Sequence, residues 1–532
     1  MERRFSDFFT PQLAGRMGCT GAPFFQKDGG AGDPLISGLE YDSRKVQPGN
    51  LYFALPGLHS DGHAFIPQAV RAGARAIVHQ HALTEYEPGV LYLRVRDSRF
   101  AMSPAADAYY DSPSARLALI GVTGTEGKST TVYLIFQLLR LLGKGAGFIS
   151  TVQFSDGGEE QWNAEHQTTP EAPAVHRLLW EMRNRGAEYA VLESSSHGLS
   201  PKTNRLGDVA FDVGIMTNVT HEHLEFHGTW EQYRSDKANL FRALDRGGQG
   251  THRKLLRREE PADIPSFAVV NGDDPSASWF AAVTRQRTRS FSTRGAEADL
   301  SLTGIESGPG GNRYAIREGG TGAVLTAEDR LPGAFNAGNV LAALLTLSGL
   351  LAVPAGDLLP LIPRLKPVRG RMTAIQKGQP FEVLVDYAHT PSSFETILPP
   401  LRERIGKSGG RILCLFGSAG ERDTAKRPVQ GRIASGWSDL LFLTDEDPRG
   451  EDPRGILEEI AAGCPERRPG EDIFLIPDRP AAIRKAFSLA REGDLVLLLG
   501  KGHENSIIYR EAARPYDEIG EAERALAEMG YR

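Results

Sequence analysis

Short continuous apolar runs, each closed by glycine or polar residues, recur along the chain and predict its architecture. Near the amino terminus NLYFALPG (50–57), ARAIVHQ (74–80) and VLYLRVRD (90–97) read as strands around one helical pattern, AFIPQAVRAG (64–73). DSPSARL (111–117) reads as a linker into a second section. That section opens with LALIGV (117–122), a glycine-rich turn and an apolar helix, and continues with strands in YAVLESSSH (189–197) and DVGIMTNVT (212–220). PGAFNAGNVLAALLTLSGLL (332–351) reads as a turn and an apolar helix. From KPVRGRM onward a plain rhythm sets in: FEVLVDYAH, RILCLFGSAG, DLLFLTDEDP, DIFLIPD and LVLLLGKGHE, with helical segments between. Fully apolar strands alternating with helices predict a parallel, doubly wound sheet. The 247–266 stretch, which ends in QGTHRKLLRREEPADIPS (249–266), is polar and proline-punctuated and reads as a surface insertion.

The expected fold class is therefore α/β in three domains. A small N-terminal α/β domain spans 1–112, a central domain with a P-loop-type, mostly parallel sheet spans 113–366, and a Rossmann-like doubly wound domain spans 367–532. A chain of 532 residues is too long for one core. Its net charge of −6 gives no electrostatic case for nucleic acid or a membrane surface. Its three cysteines, Cys19, Cys414 and Cys464, have no C-x-x-C spacing. MERRFSDFF lacks the apolar core of a signal peptide, and no run of about 18 apolar residues occurs, so the expected location is the cytoplasm.

The densest chemistry lies in IGVTGTEGKSTTVYLIFQLLRLLG (120–143). Strand, glycine turn and helix follow in the order a phosphate loop requires, but Val122 stands where the common spacing has its first glycine. Amides of Gly124, Thr125, Glu126, Gly127 and Lys128 at a helix start suit phosphate oxygens, with Lys128 reaching the β and γ phosphates. Ser129 would offer its hydroxyl to Mg²⁺. The plainer alternative is a tight connecting turn. Glu126 is expected to face outward. Glu193 ends one strand, and His221, Glu222, His223 and His227 follow another. A hard Mg²⁺ ion favours Glu193, with His223 as an unusual partner. The histidines alone could equally be a zinc site or a solvated loop.

Eleven ordered segments then carry a resemblance: VTGTEGKSTT, TTPEAP, ESSSHG, TNVTHEHLEFHG, SDKANLF, NGDD, LPGAFNAGNVLAA, VRGRM, VDYAHTP, FGSAGERDTAKRP and LLGKGHE. Together they resemble the Mur ligases, ATP-dependent amide-forming enzymes of peptidoglycan precursor synthesis, over about residues 38–510. The shortened glycine loop is the form this family uses. The leading YDSRKVQPGNLYFALPGLHSDGHAFI is similar to the uridine-nucleotide domain of the member that adds the third peptide residue.

The resemblance implies addition of a diamino acid (meso-diaminopimelate, L-lysine or L-ornithine) to UDP-MurNAc-L-Ala-D-Glu through an acyl phosphate, by a monomer. It implies that Ser43 holds the UDP-sugar, and that Thr168, Thr169, Ser195, Thr203 and Arg205 hold the muramoyl dipeptide. Thr130, Asn336 and His389 join the ATP site, although HTPSS is by itself a good helix cap. Lys237, beside Asp236, is implied to carry a CO₂-derived carbamate and to help bind Mg²⁺ with Ser129, Glu193 and His223. That reaction needs the neutral amine, and burial near cations favours it; a lysine beside an aspartate is otherwise a solvated ion pair. The catalytic set is thus Lys128, Glu193, His223 and Lys237. Arg422, Gly500 and Glu504 are implied to bind the amino acid, with the segment Glu446, Asp447, Pro448 and Arg449. Diaminopimelate-adding relatives carry D-N-P-R there. Arg449 favours a distal carboxylate and Asp447 a bare distal ammonium, so charge counting leaves the third residue open. The alternatives are a folylpolyglutamate-type ligase, whose relatives lack the leading domain, and a non-catalytic nucleotide-binding relative.

Overall fold

A computed structural model describes residues 1–21, 24–25, 32–57, 60–163, 167–220, 224–256, 260–308 and 311–532. The chain divides into two compact units, Met1–Ser292 with Ala296–Leu300 and Leu341–Ala355, and Thr293–Gly295 with Ser301–Val340 and Gly356–Arg532.

The first unit begins with a five-stranded sheet of β1 (Phe24–Phe25), β2 (Gly38–Glu40), β3 (Asn50–Phe53), β4 (Ala76–His79) and β5 (Leu91–Arg94), in the order β1-β5-β4-β3-β2. β2 to β5 run parallel and β1 closes the edge antiparallel. The following helix α1 (Ser98–Tyr109) starts on Asp97, whose carboxylate accepts the amides of Arg99 and Phe100. It presses Ala101, Met102, Ala105 and Tyr109 onto a core with Leu51, Phe53, Val78 and Leu93.

The central sheet of this unit takes β6 (Ala118–Thr123), β7 (Ala146–Ile149), β8 (Gln153–Ser155), β9 (Gln161–Trp162), β10 (Tyr189–Glu193) and β11 (Val213–Met216). Helix α2 (Lys128–Leu141) follows β6, and α3 (Ala172–Asn184) precedes β10. Helix α4 (Trp230–Lys237) and the hairpin of β12 (Thr251–Leu255) and β13 (Pro261–Pro265) lead to β14 (Phe267–Asn271) and β15 (Arg287–Ser292). Strand order is β9-β8-β7-β10-β6-β11-β14-β15, parallel from β7 to β15. Of these, β6, β7, β10, β11 and β14 are buried and largely apolar, as parallel strands covered on both faces require, whereas β15 is polar at its exposed start.

The β12–β13 hairpin departs from the expected surface insertion. His252 and Lys254 alternate inward and are 4% and 5% exposed. Lys254 Nζ donates to the carbonyls of Ser114, Leu117 and Ala210 and to Asp212, while His252 bonds Asp212 and the Leu244 carbonyl. The polar sequence thus seals the starting edge of β6 and β11, because period-two alternation turns half of its polar residues inward.

In the second unit β16 (Leu300–Gly308) lies beside β17 (Gly311–Glu318), which pairs antiparallel with β18 (Val324–Asp329). The carboxyl-terminal sheet holds β19 (Thr373–Ile375), β20 (Glu382–Asp386), β21 (Ile412–Phe416), β22 (Leu440–Leu443), β23 (Ile473–Leu475) and β24 (Leu495–Leu499). Its order is β19-β20-β24-β21-β22-β23, parallel except for β19. Helices α5 (Pro391–Lys407), α6 (Lys426–Trp437) and α7 (Pro453–Ala461) cover one face, and α8 (Arg479–Leu489) and α9 (Glu518–Glu528) the other. This is the doubly wound sheet the rhythm predicts. Cys414 and Cys464 fill the first of these cores, and burial pushes the Cys414 thiol up to about 12. Among the described residues no single helix is long and apolar enough to cross a membrane.

Candidate functional site

In the first unit β6, β7, β10 and β11 are parallel neighbours, so their carboxyl ends meet at one edge, where open α/β sheets place ligands. The glycine loop leaves β6 there. Gly124 has φ 155°, and a Cβ on it would fall 1.9 Å from Thr217 Oγ1, so only glycine fits. Gly127, at φ 83°, starts α2 without a side-chain cap, leaving the first-turn amides free to face an anion. Asn218 pins the loop by accepting the amides of Thr125 and Glu126 at its Oδ1, 3.2 and 2.8 Å away. Thr217 and Asn218 also donate to the Glu126 carbonyl. The Glu126 side chain is half-buried. Lys128 Nζ folds back to the Thr125 carbonyl at 2.8 Å, and Ser129 is buried in the first turn beside half-buried Thr130.

Glu193, 2% exposed at the end of β10, accepts the Thr151 amide at 2.8 Å from the loop after β7. Its backbone carbonyl accepts Thr169 Oγ1 at 2.9 Å, and Thr169 Oγ1 lies 3.0 Å from Ser195 Oγ. Arg205 donates to the Thr169 carbonyl at 2.7 Å and to Glu171 at 2.8 Å, while its buried Nε has no partner. Thr168 is half-buried beside this group. Thr203 instead spends its hydroxyl on the carbonyls of His197 and Ser200. Ser43 is buried in the N-terminal sheet's loop, 3.4 Å from Gln68 Oε1.

Lys237, 2% exposed, ends α4 with Nζ 2.6 Å from the Gly124 carbonyl and 4.4 Å from the centre of the Tyr233 ring. Helix α4 is thereby joined to the phosphate loop, and Tyr233 adds a hydroxyl contact of 3.1 Å to Thr125. Asp236 is also buried, and hydrogen bonds from His227, Ser200 and Gln232 outweigh burial to hold its carboxyl below the usual range. His221, Glu222 and His223 lie outside the described residues. The oxygen donors Ser129 and Glu193 beside a loop with no room for a Cβ fit a magnesium-bound polyphosphate.

The second unit holds the remaining candidates, Asn336 at the start of a helix and the others at or after the carboxyl ends of β20, β21, β22 and β24. Asn336 is buried, donating to the Pro332 carbonyl and accepting from Asn339. His389 bonds the Tyr387 carbonyl through Nδ1, and its own carbonyl accepts Lys426 and Gln430. Thr390 and Pro391 do cap α5. Asp386 accepts the amides of Met372 and Ala388, and burial pushes its carboxyl up.

Here the structure adds what the sequence withheld. Lys501 is fully buried, with Nζ 2.9 Å from Asp447 Oδ1 and 2.5 Å from Glu504 Oε2. Asp447 also accepts the Ile508 amide, so its charge has an internal partner. Glu446 differs: it is 6% exposed and its Oε2 has no partner. Burial pushes its carboxyl up, against the pull of Lys426 and Lys501. Gly500 lies against it, a Cβ there falling 3.1 Å from Glu446 Oε2. The Pro448 carbonyl abuts Gly420, and the buried Nε of Arg449 has no partner. Arg422 is exposed. Lys501 sits inside GKGHE, but only the fold brings it to Asp447.

Comparison with known proteins matches three family profiles in chain order. The Mur ligase family, catalytic domain, matches residues 35–110, the Mur ligase middle domain 122–347, and the Mur ligase glutamate ligase domain 370–502. The UDP-N-acetylmuramyl-tripeptide synthetase of Treponema denticola is 50% identical over 512 residues, covering 92% of this chain and 94% of that protein. The UDP-N-acetylmuramoyl-L-alanyl-D-glutamate–2,6-diaminopimelate ligase of Geobacillus thermodenitrificans is 38% identical, covering 93% and 96%. A solved structure of a ligase of the latter name is 26% identical with TM-score 0.58, covering 93% and 96%.

Proposed function

Because the chain belongs to the Mur ligase family, we propose that it is the ATP-dependent ligase that adds a diamino acid to UDP-MurNAc-L-Ala-D-Glu in peptidoglycan precursor synthesis. The observation that carries this reading is the meeting of the glycine loop, Glu193 and Lys237 at one sheet edge. The reading assigns residues 1–112 to the UDP-sugar, 113–366 to ATP and the acceptor carboxylate, and 367–532 to the incoming amino acid. It takes the enzyme to be a cytoplasmic monomer.

A carboxylate is a poor acylating agent. The γ-phosphoryl group of ATP moves to the D-Glu side-chain carboxylate, giving an acyl phosphate and ADP. The free amine then attacks the acyl carbon, loses its proton and expels phosphate as the amide forms. Two anionic groups must approach to about 3–3.5 Å for the first step. Lys128 and the uncapped amides of α2 offset that repulsion. Mg²⁺, held by Ser129 and Glu193, with His223 and carbamylated Lys237, would supply further charge compensation. Thr169, Ser195 and Arg205 form the shelf for the dipeptide, with the free Arg205 Nε–H as a donor for an anionic group. Glu446 and Glu504 suit an ammonium group, and Arg422 and Arg449 carboxylates.

The deciding assay supplies ATP, magnesium and UDP-MurNAc-L-Ala-D-Glu with diaminopimelate, lysine or ornithine separately. ADP release and a tripeptide product with one of them are expected; no product with any of the three ends the reading.

A further inference from the structure

One buried chain of hydrogen bonds has no part in the chemistry above. His227, whose side chain is fully buried, lies with Nε2 3.0 Å from Ser196 Oγ and Nδ1 2.8 Å from Asp236 Oδ2. Asp236 Oδ1 accepts the Gln232 amide at 2.8 Å. The imidazole also packs edge-on against Tyr233, at 5.2 Å between ring centres, and Tyr233 touches both Thr125 and Lys237. Both ring nitrogens are therefore used, with one bond to Ser196, at the start of the short helix Ser196–Leu199 that follows Glu193, and the other to the residue preceding Lys237.

The same order of serine, histidine and aspartate would activate a nucleophile in an open cleft. Here Ser196 is 2% exposed, His227 4% and Asp236 1%, so no acyl group reaches the hydroxyl. The chain holds parts together. Its two ends sit on the segments that carry Glu193 and Lys237, three residues before Ser196 and one after Asp236.

We propose that His227 is a positioning residue, a buried strut between Ser196 and Asp236 that fixes the Lys237 side chain relative to Glu193 and the phosphate loop. The inference rests on the reading of Lys237 as a carbamylated metal-binding group. A rigid helical mount for that group matters because misplacement of a catalytic group by about 1 Å can cost a hundredfold in rate.

The test compares His227→Phe, which keeps a buried ring and removes both bonds, with the milder Ser196→Ala, which removes one. His227→Gln, able to restore one bond, serves as the partial rescue. Readouts are kcat, KM for ATP, and the ¹³C carbamate resonance of enzyme equilibrated with ¹³C-bicarbonate. For His227→Phe, kcat is expected to fall about a hundredfold and the carbamate signal to weaken, with KM for ATP within about twofold of the parent. His227→Gln and Ser196→Ala should lie between it and the parent. Parental kcat, or a lowered kcat with an intact carbamate signal, overturns the proposal. Should His227→Phe not fold, Ser196→Ala decides by the same criteria. A parent enzyme without a carbamate signal, or an active Lys237→Ala, would instead remove the reading of Lys237 on which the inference rests.

Discussion

Lys254 Nζ lies 2.6 Å from Asp212 Oδ2, with 4% and 0% of the two side chains exposed. Burial pulls the Lys254 ammonium below its ordinary value and Asp212 pulls it back. Three backbone carbonyls share its three N–H donors with Asp212, which also accepts the Leu119 amide at the start of β6.

Removing one partner of such a pair leaves an uncompensated buried charge. Lys254→Met is therefore expected to destabilise the protein by about 3–5 kcal/mol in equilibrium denaturation. Adding Asp212→Leu should recover part of the loss, because two apolar groups leave no stranded charge. A loss below about 0.5 kcal/mol, the size expected at the surface, would return the hairpin to the status of an insertion.

The phosphate loop gives a sharper functional outcome. Lys128→Ala should lower ADP release at least about a hundredfold, the scale of one lost transition-state charge contact. Binding of UDP-MurNAc-L-Ala-D-Glu should be retained by calorimetry, since Ser43 and the Thr169–Arg205 shelf are untouched. Lys237→Ala should be inactive and, on the proposed carbamylation, partly rescued by short carboxylic acids that would replace the carbamate's anionic oxygens. Failure of rescue together with a bare amine in active enzyme would argue for a purely structural Lys237.

These sites differ in how far the sequence discloses them. The glycine loop is legible because the role proposed for it is local: consecutive backbone amides, one lysine and one hydroxyl at a helix start. The parallel strands are legible because burial on both faces makes them apolar without alternation. His252 and Lys254 are not, because their partners lie up to 140 residues away and their polarity imitates a solvated face. Asp447 is the instructive case. Its charge, taken alone, favours a substrate ammonium, yet Lys501, 54 residues on, already pairs with it and with Glu504. The strut through His227 was equally hidden, since a histidine-rich loop gives no sign of which ring is enclosed.

The internal pairing of Asp447 makes neighbouring carboxylates distinguishable. Glu446→Gln should raise KM for the amino acid about tenfold to a hundredfold, the worth of a hydrogen bond to a charged group. Asp447→Asn should change it less than about threefold, because its carboxylate is already engaged. The reverse order, with Asp447→Asn the more damaging under steady-state assay, would place the substrate ammonium on Asp447.

His176 provides a test in pH. It is fully buried on α3, neither ring nitrogen has a partner, and Asp107 Oδ1 is 4.0 Å away. Burial pushes its imidazole below the ordinary value; Asp107 and Asp208 oppose that, and Arg16 reinforces it. The folded protein therefore holds the ring neutral where the unfolded chain, with a value of about 6.5, takes up a proton. Below that pH the unfolded state binds more protons, so stability falls as pH drops, by at most about 1.4 kcal/mol per pH unit for this one group. The loss begins near pH 6.5 and levels off below the folded-state value. His176→Leu removes the difference in proton uptake while keeping an apolar side chain in the site. Denaturation midpoints measured from pH 7.5 to 5 should decline less steeply in this variant than in the parent. Parallel curves would show that His176 does not titrate differently on unfolding, and that the acid sensitivity of the first unit has another source.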